Sequence, residues 1–212
     1  FFKDVLRKLF SMIHVLYPHG FNSSPQSMKA TLTREYFALH FPEIYFHCPQ
    51  IASSPNAAIA QLESIIALTP SATWLFMGSS LGGYFATYLA EKYQAKTVLI
   101  NPAVKPFELL KDYLGKQINP YTGECYQVKE QHIIDLKMLE QKNISKNNYL
   151  VMLQTGDEVL DYQQAVEKYR HCQLTIEQGG DHSFINYDNA LAKITLFFNL
   201  QSTALKSIRT NK

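Results

Sequence analysis

Apolar residues along this chain fall into short runs rich in β-branched and aromatic side chains, separated by longer stretches whose apolar positions recur at helical spacing. The runs Ile13–Tyr17, Ile44–Cys48, Thr73–Met77, Thr97–Ile100, Leu150–Gln154 and Gln173–Glu177 are predicted strands. Between them, helices are predicted over Ser27–His40, Asn56–Ala67, Leu81–Tyr93, Tyr162–Arg170 and Ile185–Leu200. Strands that alternate with crossover helices make a doubly wound, mainly parallel α/β sheet with helices on both faces, here expected in the order 2-1-3-4-5-6. One interval breaks the rhythm: Ala103–Asn148 puts about 45 residues between the fourth and fifth strands, more than a single crossover needs. It contains Pro106, Pro120, Tyr113, Tyr121 and Tyr126 and is expected to form a cap inserted over the sheet.

Length and composition limit what this sheet can be. At 212 residues, 46% hydrophobic and 18% charged, the chain suits one domain with its own core rather than two domains or a disordered segment. The expected domain spans 12–200, with Phe1–Ser11 an N-terminal extension and 201–212 a C-terminal tail. Phe2, Leu6, Leu9 and Phe10 share one helical stripe of that extension, which reads as a packed or frayed terminus rather than a membrane-surface helix. Twenty Lys and Arg against 18 Asp and Glu leave a net charge of +2, too small and scattered to indicate a nucleic-acid partner. Cys48, Cys125 and Cys172 are odd in number and widely spaced, so neither a disulfide framework nor a CxxC metal knuckle can be read from them, which fits a reducing, cytoplasmic setting. No apolar stretch approaches the roughly 20 residues of a membrane span.

Chemistry enters at Gly78-Ser79-Ser80-Leu81-Gly82, where an apolar strand runs directly into a helical pattern. Such a turn holds its central residue, Ser80, on a sharp bend with the hydroxyl above the sheet, while the flanking glycines remove side chains that would collide. Ser80 is therefore the candidate nucleophile, and Ser79 a small, locally hydrogen-bonded neighbour. An acyl-transfer site also needs two backbone donors for the tetrahedral oxyanion. Leu81, following the nucleophile, offers one; Phe21, in the His19-Gly20-Phe21-Asn22 loop after the first strand, offers the other, with His19 fixing that loop. The loops after strands 1 and 3 face one crevice because the strand order reverses between them.

Two later loops supply partners. Asp157, Glu158 and Asp161 follow the fifth strand; Asp157 is preferred as the carboxylate that orients a histidine, because Asp161 is placed to cap the next helix. His182 follows Gly179-Gly180-Asp181 after the sixth strand and becomes the candidate general base, in the chain order Ser, Asp, His. His14, His40, His47, His132 and His171 lack such loop chemistry and are expected on the surface or satisfied within the core. Phe107 and Tyr113, in the cap, are candidate acyl-pocket residues. No metal or organic cofactor is implied.

The strings HGFNSSP, GSSLGGYFATYLAEKY, NPAVKPFELLKDYLG, NPYTGE, TGDEVLDY and GGDHSF together closely resemble the YqiA-type bacterial esterases of the α/β-hydrolase superfamily. The resemblance runs from about Met12 to Leu200. It implies a carboxylesterase or acyl-thioesterase acting on small acyl esters or acyl-CoA-type thioesters, with a triad at Ser80, Asp157 and His182. An acyltransferase using the same triad, or a binding module that kept the fold without the chemistry, stands as the alternative.

Overall fold

The computed structural model describes residues 12–200. The expected N-terminal extension and C-terminal tail lie outside the described residues. In chain order the elements are β1 (Ile13–Leu16), α1 (Met28–His40), β2 (Tyr45–His47), α2 (Pro55–Ala67), β3 (Thr73–Ser80), α3 (Leu81–Tyr93) and β4 (Thr97–Pro102). The chain continues through α4 (Pro106–Leu109), a 3-10 turn at Leu110–Tyr113, β5 (Gly115–Ile118), β6 (Cys125–Val128) and α5 (Glu130–Met138). It closes with β7 (Tyr149–Gln154), α6 (Tyr162–Lys168), β8 (Gln173–Glu177), a 3-10 turn at Tyr187–Ala190 and α7 (Leu191–Phe197).

Six strands form one sheet in the order β2-β1-β3-β4-β7-β8, every neighbouring pair parallel. This is the order expected from the sequence, with β7 and β8 as its fifth and sixth strands. A parallel sheet covered on both faces needs apolar residues at every strand position, and β4 and β7 are buried along their whole length. Successive side chains point to opposite faces. Val98, Ile100, Leu150 and Met152 pack with α1 and α7, while Leu99, Val151 and Leu153 pack with α2, α3 and α6. The edge strands β2 and β8 are only partly buried, as their position at the rim requires.

Two sequence expectations change. The C-terminal helix is shorter than Ile185–Leu200, because Asn186 and Asn199 take left-handed conformations at φ 59° and 58° that no α-helix accommodates. The insertion contains an antiparallel hairpin, Gly115 opposite Val128 through Ile118 opposite Cys125, that the sequence reading did not separate from the cap. Asn119 builds its turn, its side-chain carbonyl accepting from Tyr121 N and Thr122 N at 2.9 and 3.2 Å.

The insertion packs into the core rather than resting on it. Phe107, Leu110, Val128, Ile133, Leu136 and Leu139 join the apolar cluster of α2 and α3, and Tyr84 Oη donates to Leu136 O at 2.7 Å. Its far end is tied to α3 through Glu91, whose carboxylate accepts from Tyr149 Oη at 2.6 Å and from Ser145 Oγ at 2.7 Å. Cys48, Cys125 and Cys172 are free thiols. No helix among the described residues is long and apolar enough to cross a membrane.

Between β1 and the edge strand β2, His14 departs from the expectation of a surface ring or one satisfied within the core. His47 Nε2 and His14 Nδ1 lie 2.9 Å apart, one donating and the other accepting, and His14 Nε2 is buried without a hydrogen-bond partner. Burial lowers the pKa of both rings, and for His47 the charge of His14 lowers it further. An unfolded histidine titrates near ~6.5, so below that pH the unfolded chain binds more protons than the folded one. The stability held by this pair is therefore fully present above about pH 6.5 and lost as pH falls below it. Thermal unfolding between pH 7 and 5 should show a falling midpoint, and His14→Phe should reduce the fall by a few degrees. An undiminished acid dependence in His14→Phe would assign the effect to other groups.

Candidate active site

Strand β3 ends on Ser80 and α3 begins at Leu81, leaving no linker between them. Ser80 sits at φ 54° and ψ −127°, a conformation that costs a non-glycine residue on the order of 1–3 kcal/mol. Close packing on either side explains the glycines. A Cβ on Gly78 would lie 2.4 Å from Gly82 O, and one on Gly82 only 2.0 Å from Pro18 O. The bend also disturbs the ladder: pairing of β3 with β4 shifts register between Ser79 and Ser80, and Ser80 O accepts from Ala103 N at 3.0 Å. Ser80 is thus held out of the strand, at the N-terminal end of a helix whose first N–H groups have no partner within the helix.

The two loops expected to supply partners reach this hydroxyl. His182 Nε2 lies 3.1 Å from Ser80 Oγ, while His182 Nδ1 lies 2.9 and 3.0 Å from the two Asp157 carboxylate oxygens. With Asp157 ionised, the consistent tautomer carries the proton on Nδ1 and leaves Nε2 to accept from Ser80. The Asp157 side chain is 2% exposed and that of His182 24%, so the acid is enclosed while the imidazole faces the cleft. Burial pushes the Asp157 carboxyl up, but hydrogen bonds from His182 and from the Leu160 and Val159 N–H groups outweigh it and hold the pKa below the usual carboxylate range. Asp161 instead caps α6, accepting from Gln163 N at 3.0 Å.

Several residues absent from the sequence-derived site hold these loops. Gln154, buried at the end of β7, accepts from Asp181 N and Ile185 N through Oε1, and donates to Glu177 Oε2 and Ile185 O through Nε2. Asn101, at the end of β4 and at φ 40°, donates to Asp181 O and accepts from Gln154 N, both at 3.0 Å. Glu158 Oε2 accepts from His182 N at 3.0 Å, and Lys29 Nζ donates to Ser183 O at 2.8 Å. Burial lowers the Lys29 pKa to about 8 against the opposing pull of Asp157 and Asp181. A signal was present for Asn101 and Gln154: each is an amide closing an otherwise apolar strand.

A cleft of about 350 Å³ opens on Ser80, lined by Phe21, Leu81, Ala103, Leu109, Tyr113 and Val159 among others. Both candidate oxyanion donors, Phe21 and Leu81, therefore belong to its wall. The loop carrying Phe21 lies against the serine: a Cβ on Gly20 would come within 3.2 Å of Ser80 Cβ. His19 fixes that loop, its Nδ1 donating to Gly20 O at 2.9 Å while Nε2 accepts from Ile51 N at 3.1 Å. Ser79 is buried and receives a long hydrogen bond, 3.4 Å, from Tyr17 Oη across the sheet rather than from a sequence neighbour. Tyr113 lines the cleft, but Phe107 does not: only 8% exposed, it packs into the α2–α3 cluster with the Lys137 ammonium 5.9 Å from its ring centroid. The α4 turn faces two ways, and Leu109 occupies the side assigned to Phe107 from the sequence. Among the described residues no group of three or more His, Cys, Asp or Glu could hold a metal ion.

This parallel sheet with a strained strand-to-helix turn is an α/β-hydrolase fold. Alpha/beta hydrolase domain-containing protein 10 from mouse superposes with a TM-score of 0.70 at 14% identity, covering 88% of this chain and 89% of that one. Est1E from Butyrivibrio proteoclasticus superposes with a TM-score of 0.69 at 12% identity, covering 88% of each chain. The model of the family described as "Uncharacterised protein family (UPF0227)" matches residues 14–199, and the chain belongs to that family. Its relative UPF0227 protein YcfP of Escherichia coli (strain K12 / DH10B) is 23% identical over 188 residues, covering 88% of this chain and 99% of YcfP. The family agrees with the YqiA-type resemblance carried by the motifs.

The buried amides make a direct prediction. Gln154→Ala strands the Asp181 and Ile185 N–H groups inside the protein, at about 1–3 kcal/mol for each such unsatisfied group. Denaturant unfolding should report the loss, and wild-type stability in the variant would show that water replaces the amide without penalty.

Proposed function

We propose that this protein is a serine hydrolase that cleaves carboxylic esters or acyl thioesters through an acyl-enzyme intermediate. The observation that carries the reading is the continuous hydrogen-bonded series Ser80 Oγ, His182 imidazole, Asp157 carboxylate, opening on an apolar cleft. Each member fits one chemical task. Ser80 Oγ attacks the acyl carbon as His182 Nε2 takes its proton, and Asp157 stabilises the imidazolium through the Nδ1–H bond. The Leu81 and Phe21 N–H groups donate to the developing oxyanion, where preorganised donors act most strongly. His182 returns the proton to the departing alkoxide or thiolate. Water, deprotonated by the same imidazole, then attacks the acyl-serine and releases the carboxylic acid. Every step uses groups of this chain, a small-molecule substrate and water.

The cleft lining argues for the substrate class. Apart from Ser80 itself, Asp112 and Glu158, the side chains that line the cleft are apolar or aromatic, which suits an acyl group.

Ser80→Ala should abolish ester hydrolysis and fluorophosphonate labelling without lowering the melting temperature, whereas Ser79→Ala should keep both activities. A probe adduct mapped to Ser79 would overturn the assignment. Asp157→Asn should slow turnover by roughly 10³–10⁴-fold, since the imidazolium loses its compensating charge and the ring its correct tautomer. Asp161→Ala should lower stability while leaving kcat within about threefold of wild type, because it removes only a helix cap. Steady-state kinetics and melting curves on the two proteins separate these roles, and a reversed pattern would exchange them.

A further inference from the structure

The cleft at Ser80 ends on a thin partition. Phe21, Leu81, Leu110 and Leu136 line it, and the same residues line a second, smaller cavity of about 50 Å³, bounded further by Ile51 and Val128 and by the polar Gln50, Asn119 and His132. The Phe21 ring stands between the two spaces. Tyr113, a cleft residue, meets it edge-on with centroids 5.2 Å apart at 68°, and Tyr126, a cavity residue, does so at 6.4 Å and 77°. Leu110 and Leu136 are core side chains, only 8% and 0% exposed, and are held by the packing of the insertion. Phe21 is half-buried on a loop, and its ring is the part of the partition that owes least to the core.

We infer that the Phe21 side chain is the specificity-determining wall of the acyl site, restricting the enzyme to short acyl chains by closing the cleft against the second cavity. This rests on the hydrolase reading above and deepens it. One residue then does two separable things: its backbone N–H faces the oxyanion, and its ring sets how far the acyl chain extends. Past the ring the cavity offers Ile51, Phe85 and Val128 to a chain that could enter, beside the polar His19, Gln50, Asn119 and His132 and the Tyr126–Asn22 contact at 2.6 Å. Removing the ring joins the two spaces without touching Ser80, His182 or Asp157.

The test is the kcat/KM series for p-nitrophenyl acetate, butyrate, hexanoate and octanoate with wild type, Phe21→Ala and Phe21→Leu. Wild type should favour the short esters. Phe21→Ala should move the optimum toward hexanoate and octanoate, each newly admitted methylene raising relative kcat/KM by up to about fourfold, and Phe21→Leu should fall between. The ratio of octanoate to acetate is the diagnostic quantity, because a displaced Phe21 amide would slow all four esters alike. The conservative Leu variant preserves the test should the Ala variant fold poorly. Folded variants that label at Ser80 with fluorophosphonate but keep the wild-type profile, or lose rate equally on every ester, would overturn the wall while leaving the hydrolase reading intact. Wild type that neither labels nor turns over any ester would overturn the hydrolase reading, and the wall with it.

Discussion

Everything in the site depends on one unfavourable backbone conformation, that of Ser80 at φ 54°. Left in an extended strand, its side chain would point into a sheet face and its hydroxyl would meet packed apolar residues. The bend lifts the hydroxyl to the carboxyl edge and turns the following amides toward it, and the cost is borne by the surroundings. β3 pairs on both sides with buried strands, and α3 is clamped against β3 and β4. Gly78 and Gly82 let the backbones approach to distances no Cβ permits. A strand-to-helix junction without linker residues is stable only inside such a clamp, so the geometry of the Ser80 site and the central packing of the sheet are one feature.

Around that bend, the doubly wound topology does the positioning. The strand order reverses between β1 and β3, so the loop after β1 crosses directly over Ser80, while the loops after β7 and β8 approach from the other side. Loops alone would leave an imidazole free to turn away. Two buried amides prevent this: Asn101 accepts from the β7 backbone at Gln154 N, and Asn101 and Gln154 together bond the backbone on both sides of His182. In a low-dielectric setting a fully satisfied polar network is rigid, because each broken bond strands a buried group. The Ser, His and Asp side chains are thereby referred to the strand ends rather than to flexible loop tips.

The insertion between β4 and β7 turns this general scaffold into a particular pocket. It is anchored by Leu110 and Leu136 on one side and by Glu91 hydrogen bonds on the other, so it behaves as a wall of the domain rather than a hinged lid. A wall built on the same apolar cluster as α2 and α3 has limited freedom, so the shape of the cleft is set by side chains at a few positions.

Much of this was legible in the chain itself. Alternating strand and helix patterns determined a parallel α/β sheet and its order, and the Gly-x-Ser-x-Gly junction, the Asp157 loop and the His182 loop pointed to three side chains that the fold brings into hydrogen-bond contact, because each motif reflects a local requirement of backbone geometry. Tertiary structure decided what depends on residues distant in sequence. The hairpin at Gly115–Val128 pairs short segments whose register no local pattern records, and α7 is shortened by left-handed residues at Asn186 and Asn199. Phe107 and Leu109 are both apolar and two residues apart, yet only packing against α3 sends the first into the core and leaves the second in the cleft. Asn101, Gln154 and Glu158 gain their roles from bonds to a loop dozens of positions away. Local sequence specifies conformations and candidate chemistry; which side chains meet, and what each is bonded to when buried, is set only when the whole sheet closes.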